Sequence, residues 1–318
     1  MESVPFAVNV GNLSRGQRGR MPGWRLWSLI LVFVGGMSYA SCSSVLDGTK
    51  HGEGFLAVSA PLAVGELIRV KKVYDGDSIE LEDGRRIRYL GVNAPEFQEP
   101  FYLKAKRLNE SLVLGREVRL EFDQERADRY DRILAYVYVG DQMVNAKLIQ
   151  QGMAHAFFIG SSRRHNALLL RLQAGAKQRK VGIWSARGGV RELKITSVHP
   201  ADPDKPDAYA SYVRIANLSD GTIRLSRYVL SNEGGQRYHF PSVSLEPGYT
   251  VIVAGKEGAA GSDSAGQMVV HWPVQDSVWD PTEDTAFLMD PSGSLVDMFH
   301  YKGRRVTRSP TRSRPRAP

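Results

Sequence analysis

The pattern of apolar and polar positions changes character along the chain. From Leu67 short alternating runs dominate. Arg69 to Val73 leads into a turn at Asp75-Gly76, Ser78 to Glu82 alternates up to a second turn at Asp83-Gly84, and Arg86 to Leu90 returns. Runs of this length bounded by Asp-Gly pairs predict strands joined as hairpins. Leu103, Leu108 and Leu112 predict a helix over about 101–113. Glu117 to Phe122 and Ile133 to Val139 read as further strands, followed by a tight turn at Gly140-Asp141. Asn145 is placed to cap a helix running toward Gln151. Ser161 or Ser162 is placed to begin a longer amphipathic helix, with Leu168, Leu169, Leu172 and Ala176 on its apolar face and its end near Gly182. Strands in this number, with helices packed on them, predict a small barrel of about five strands.

After a break at 187–191 the helical pattern vanishes. Leu193 to Val198, Ala210 to Ile215, Tyr228 to Leu230, Thr250 to Ala254 and Thr285 to Leu288 are strand-like and separated by Pro, Gly, Asp and Asn. Residues 192–302 therefore read as an all-β sandwich, so the fold class is α+β followed by all-β. Residues 43–61 are small and polar and read as a linker. Residues 303–318 are mostly Arg, Ser, Thr and Pro, the composition of a disordered basic tail.

Residues 1–42 carry export grammar: Arg15, Arg18, Arg20 and Arg25, then an apolar run from Leu26 to Met37, then Ala40 and Ser41. Ser38-Tyr39-Ala40 fits an ordinary signal-peptidase site. Tyr39-Ala40-Ser41-Cys42 fits a lipoprotein site with Cys42 lipidated, although an aliphatic residue is usual where Tyr39 stands. A short uncleaved anchor is the third reading, and Met21 is an alternative start. The expectation is export to the periplasm, the outer membrane or the medium. Cys42 is the sole cysteine, which excludes an internal disulfide and a multi-cysteine zinc site.

The chain of 318 residues has a net charge of +8, unevenly spread. Residues 1–61 carry +2, residues 62–190 +6, residues 191–302 −6 and residues 303–318 +6. A polyanion would meet the barrel first and avoid the sandwich. The basic tail could add affinity for nucleic acid or an anionic surface, or simply be solvated.

Three clusters in the barrel could carry chemistry: Val73-Tyr74-Asp75-Gly76-Asp77-Ser78, Arg88 to Glu96, and Asp128 to Tyr136. Taken singly, Asp-Gly-Asp is a turn, Pro95-Glu96 a helix start, and the third cluster a charged loop. Together they supply what metal-assisted phosphodiester hydrolysis needs. Asp77 offers a hard oxygen for a cation, Arg88 and Arg132 offer planar forks for phosphate, and Glu96 offers a base for water.

These clusters, in this order, resemble the staphylococcal nuclease (thermonuclease) family. Gly140-Asp141-Gln142-Met143-Val144-Asn145, Gln151-Gly152-Met153-Ala154 and Val181-Gly182-Ile183-Trp184 extend the resemblance over about 62–186. It implies a five-stranded oligonucleotide-binding (OB-fold) barrel and a calcium-dependent nuclease acting on DNA or RNA. By the same resemblance, Asp77 is a calcium ligand and Ala94 lends its backbone carbonyl. Arg88 and Arg132 grip the phosphate, Glu96 acts on the attacking water, Tyr130 lies beside the phosphate, and Phe158 stacks on a base. Barrel packing is the alternative for Tyr130 and Phe158. Asn93 stands where the family has a second metal-binding Asp, so the resemblance implies weaker calcium binding. A catalytically silent nucleic-acid-binding barrel and an envelope interaction protein are the competing readings.

Residues 192–302 resemble the lamin-tail domain, an immunoglobulin-like sandwich. The resemblance rests on Tyr212 to Asn217, Tyr238-His239-Phe240-Pro241, Leu245-Glu246-Pro247-Gly248, Asp276 to Trp279, Asp284 to Asp290, Gly293 and Tyr301. It implies targeting or interaction with an unknown partner, not catalysis.

Overall fold

The computed structural model describes residues 66–302, apart from 129, 202–208, 210, 257, 259, 265 and 273–277. The export segment with Cys42, the linker at 43–61 and the basic tail lie outside the described residues.

The first domain begins with three strands, β1 (Leu67–Val73), β2 (Ser78–Leu81) and β3 (Arg86–Tyr89), paired antiparallel in sequence order. A two-residue strand β4 (Val92–Asn93) follows, then helix α1 (Tyr102–Val113), then β5 (Glu117–Glu121) and β6 (Ile133–Val139). β5 pairs with β1, and β6 pairs antiparallel with β5 and parallel with β3. That last pairing closes the sheet into a five-stranded barrel. Alternate positions point inward, so Val70, Ile79, Leu81, Ile87, Tyr89, Val118, Leu120, Ala135 and Val137 fill the interior.

A short strand β7 (Gln142–Met143), helix α2 (Val144–Gln150), strand β8 (His155–Ala156) and helix α3 (Asn166–Gln178) complete the domain. α1 buries Ala105, Asn109 and Val113, one residue per turn. Gly76, in the turn before β2, admits this packing. A Cβ there would lie 2.4 Å from the Ala94 Cβ and 2.9 Å from the Ala105 Cβ.

Two helix boundaries differ from the sequence expectation. Asn145 does not cap α2. It is the second residue of that helix and is fully buried, accepting the Val137 N–H through Oδ1 and donating to the Leu90 carbonyl through Nδ2, both at 2.9 Å. Its side chain joins the helix to the barrel wall, a use that local sequence does not reveal. α3 begins at Asn166, not at Ser161 or Ser162, because Glu125 claims both serines. Its Oε1 accepts the Ser161 N–H at 2.8 Å, and its own N–H donates to Ser162 Oγ at 3.2 Å. α3 ends at Gln178, and Gly182–Trp184 form a separate 3-10 turn.

The second domain consists of β9 (Leu193–His199), β10 (Tyr212–Asn217), β11 (Ile223–Arg224), β12 (Val229–Ser231), β13 (Arg237–His239) and β14 (Ser244–Leu245), then β15 (Thr250–Ala254), β16 (Gly261–Ser262), β17 (Met268–His271), β18 (Glu283–Met289) and β19 (Leu295–Lys302). One sheet has the order β16-β17-β15-β10-β9, the other β13-β12-β18-β19, and β11 pairs with β14. Val213, Ile215, Leu230, Val251, Val253, Trp272, Trp279 and Leu288 pack in the core of this domain. This is the expected all-β, two-sheet architecture of an immunoglobulin-like sandwich. Its last strand, β19, is largely exposed and was not marked by sequence pattern.

Candidate active site

The three clusters converge at one end of the barrel. Asp77 immediately precedes β2 in the Asp75-Gly76 turn, where its backbone N–H donates to Asp75 Oδ1 at 2.9 Å. Its carboxylate is buried and well bonded. Oδ1 meets Arg88 Nε at 3.2 Å and accepts the Ser78 hydroxyl at 3.1 Å, while Oδ2 accepts the Ala94 N–H at 2.6 Å. Ser78 faces Arg88 across the β2–β3 register, which places the carboxylate and the guanidinium side by side.

Arg88 is nearly saturated. Nη1 donates to the Tyr89 and Val92 carbonyls at 2.8 and 2.7 Å, and Nη2 donates to Asn93 Oδ1 at 2.7 Å. Arg88 thus folds the 89–93 turn around itself. Asn93 is buried, and its carbonyl oxygen is engaged by this arginine. Its Nδ2 lies 3.5 Å from Nε2 of His155. Burial, helped by the charges of Lys194 and Arg88, pushes the His155 imidazole down to about 3, against the opposing bond to the Ala156 carbonyl. His155 is therefore neutral. If Nδ1 carries the proton toward Ala156, Nε2 accepts from Asn93 and turns the amide oxygen to Arg88.

Arg132 enters from the residue just before β6. Its Nε pairs with Asp128 Oδ2 at 2.8 Å and its Nη1 donates to Ser78 Oγ at 3.4 Å. Ser78 Oγ thereby links Asp77 to Arg132. Unlike Arg88, Arg132 keeps an Nη2 group without a protein partner among the described residues. Tyr130 is half exposed, with its ring 5.6 Å from the Arg132 guanidinium.

Glu96 lies at the rim. The residue is exposed, yet protein atoms crowd its carboxyl and raise its pKa. Asp75 and Glu99 add to the rise, while Arg88 and Lys194 oppose it. Asp77 is also raised, by burial first, with Arg88 opposing and Asp75 and Glu96 adding. Asp75, Asp77 and Glu96 thus share one field in which Arg88 is the nearest opposing charge. Among the described residues, no three His, Cys, Asp or Glu side chains form a closed metal cage.

The structure does not offer Phe158 for stacking. Phe158 is 2% exposed, its N–H donates to the Gly248 carbonyl at 2.7 Å, and its ring meets Tyr249 edge-on at 5.4 Å. Gly248 covers the ring so closely that a Cβ there would lie 2.5 Å from Phe158 Cε2. The ring is one of the barrel's contacts with the sandwich, and burial there leaves no face for a base.

Sequence reading placed Ser78 in the first cluster without a role, and missed Asn109, Glu99, His155 and Lys194. Asn109 accepts the Tyr89 hydroxyl at 2.8 Å and donates to the Asp75 carbonyl at 3.0 Å, tying α1 to the acidic turn. Glu99 Oε2 accepts the Glu96 N–H at 2.8 Å. No local pattern distinguishes these residues from ordinary packing or surface positions.

Residues 86–186 match the family described as staphylococcal nuclease homologue. The chain is 35% identical over 143 residues to the thermonuclease of Staphylococcus intermedius, covering 42% of this chain and 85% of that protein. The chain belongs to the staphylococcal nuclease family. That membership carries the expected enzyme class, a nuclease hydrolase. The thermonuclease of Staphylococcus hyicus is 34% identical over 126 residues, 37% of this chain and 75% of that relative. The SPbeta prophage-derived endonuclease YokF of Bacillus subtilis is 30% identical over 160 residues, 44% of this chain and 54% of that relative. Residues 187–303 match the lamin tail domain. The family match begins at β3, so Asp77 and Ser78 join the site through the barrel geometry given above.

Proposed function

We propose that this chain is an exported, calcium-dependent nuclease that hydrolyses phosphodiester bonds of DNA or RNA, with the lamin-tail domain serving targeting or interaction. The observation that carries the chemistry is the Asp77–Ser78–Arg132 link, with Arg88 beside it and Glu96 at the rim. Arg132 has the available fork for a phosphate oxygen, and Arg88 holds the turn that presents Asp77, Asn93 and Ala94. Glu96, raised from the ordinary carboxylate range, suits taking a proton from an attacking water. Tyr130 flanks the phosphate position beside Arg132.

The donor chemistry fits a hard cation: carboxylate and carbonyl oxygens, with Asp75 and Glu96 close enough to raise the Asp77 carboxyl. Asp77, Asn93 and the Ala94 carbonyl would hold calcium, which when bound neutralises phosphate charge. Export rests on the grammar of residues 1–42, and lipidation on Cys42. Either would place the enzyme outside the cytoplasm, where a lipid would add association with the envelope.

The test is cleavage of single-stranded and duplex DNA and of RNA by the full chain, with calcium and then with a chelator, beside Glu96→Gln and Arg132→Ala. Calcium-dependent cutting lost in both variants is expected. DNA binding without cutting at any calcium concentration would move the reading to a silent nucleic-acid-binding barrel.

A further inference from the structure

The residue after Glu96 is an aromatic held out of the fold. Phe97 is 72% exposed, and its ring meets Tyr102 edge-on with centroids 5.6 Å apart. It stands on a loop in which two non-glycine residues, Gln98 and Phe101, have φ of 75° and 71°. L side chains adopt that region at a cost, so this loop keeps a defined shape against local strain. Leu103 is exposed as well. Phe97, Pro100, Phe101, Tyr102 and Leu103 line an open groove of about 480 Å³, with Glu99, itself paired with Lys194, and the cations Lys104 and Arg187 among its lining residues. Both cations are exposed, and Lys104 lies 4.9 Å from the Phe101 ring centroid.

Aromatic and apolar walls beside cations suit a ligand with a planar ring attached to an anionic backbone. Resting on the nuclease reading above, we propose that this groove is a stacking subsite for an unpaired nucleobase flanking the scissile phosphodiester. Two observations select that occupant over a second copy of the chain or a lipid surface. The groove starts at Phe97, the residue after Glu96, so a strand bound at the active site can run into it. The surrounding segment 62–190 is net basic at +6, which favours a polyanion. A base in a duplex has both faces covered, so the subsite selects single strands or unpaired ends. It also supplies the aromatic contact that the buried Phe158 does not.

Phe97→Ala removes an exposed ring and leaves the core intact, so folding is not at issue. KM and kcat are measured for a single-stranded oligonucleotide, the same sequence as a duplex, and a small aryl phosphodiester with no flanking base. Loss of one stacked base should raise KM for the single strand by about tenfold or more. The expected kcat is within about twofold of the original, as for a contact made equally in ground and transition states. Duplex and aryl phosphodiester kinetics are expected to stay unchanged, and Phe97→Tyr to restore the single-strand KM. Single-strand affinity is also measured by fluorescence anisotropy in chelator, without turnover.

An unchanged KM and unchanged affinity in Phe97→Ala overturn the subsite. Loss of self-association or of binding to anionic vesicles, with single-strand affinity intact, assigns the surface to one of the other occupants. If the unaltered protein cleaves nothing but Phe97→Ala weakens single-strand binding, the nuclease reading falls and the stacking surface stands.

Discussion

Lys194 places its ammonium against both carboxylate oxygens of Glu99, at 2.7 and 2.9 Å. Lys194 belongs to β9 of the sandwich, while Glu99 belongs to the barrel loop that carries Glu96. Because Glu99 also accepts the Glu96 N–H, the lamin-tail domain holds the loop of the candidate base. Lys194→Met keeps the apolar stem and removes the charge. It is expected to lower kcat by about tenfold, the lower range for loss of an orienting partner, with little change in KM. Lys194→Arg should restore most of it. Equal kcat in Lys194→Met and the unaltered chain would show that the sandwich leaves this loop undisturbed.

Arg88 and Arg132 should separate in a comparison of stability with rate. Arg88→Ala leaves the buried Asp77 carboxylate without its ion pair, a loss of about 3–5 kcal/mol in urea denaturation. Adding Asp77→Asn should recover part of that stability but no activity. Arg132→Lys is expected to unfold near the same urea concentration yet lose about 100-fold or more in kcat/KM, because a lysine cannot present a planar fork. Similar urea midpoints for Arg88→Ala and the unaltered chain would contradict the burial argument.

Asn93→Asp tests the cation site. A second carboxylate beside Asp77 adds negative charge where calcium is expected, and ligand charge sets calcium affinity. The calcium concentration for half-maximal cleavage should fall several-fold relative to the unaltered chain. No fall would mean that Asn93, whose oxygen already serves Arg88, is not a ligand.

The junction of the two domains makes a stability prediction. Gly248 has φ of 79° and lies against the Phe158 ring, so Gly248→Ala adds both backbone strain and a clash. A cost of about 2 kcal/mol or more is expected, read as a lower Tm. Calorimetry should also separate the barrel and sandwich transitions if this contact couples them. An unchanged Tm would show that the ring moves aside freely.

Asp297 gives a pH dependence. It is part-buried in β19, and burial raises its carboxyl while the Ile195 and Met298 N–H groups and Lys194 oppose. A carboxyl raised by folding stabilises the native state fully below its unfolded pKa and loses that contribution as pH climbs through the folded value. Asp297→Asn retains an oxygen acceptor for the Ile195 N–H, 2.7 Å from Asp297 Oδ2. It should therefore stabilise the chain at neutral pH, with the gain shrinking in acid. Melting curves across that range check both halves, and a gain that grows toward acid would reverse the sign.

The sequence by itself determined the periodic elements. Alternation fixed β1 to β3, β5 and β6, because one face of each strand must be buried, and Asp-Gly pairs marked the turns. It also gathered Asp77, Arg88, Glu96 and Arg132, because metal-assisted hydrolysis needs those residue types and they stand in recognisable clusters. Tertiary structure alone decided what each of these residues touches. Arg88 is spent on Asp77, two carbonyls and Asn93, whereas Arg132 keeps an Nη2 group without a partner among the described residues, and no spacing in the sequence distinguishes them. Asn145 reads as a cap but anchors a helix to the barrel wall, since a buried amide serves whichever backbone groups the fold leaves unpaired. For Phe158 the resemblance left stacking and barrel packing open, and Gly248 and Tyr249, about ninety residues away in the chain, cover the ring. Lys194 reaches Glu99 across a similar span. Such contacts depend on how two separately legible domains pack, and local sequence pattern reports only the faces that an element buries, not what meets them.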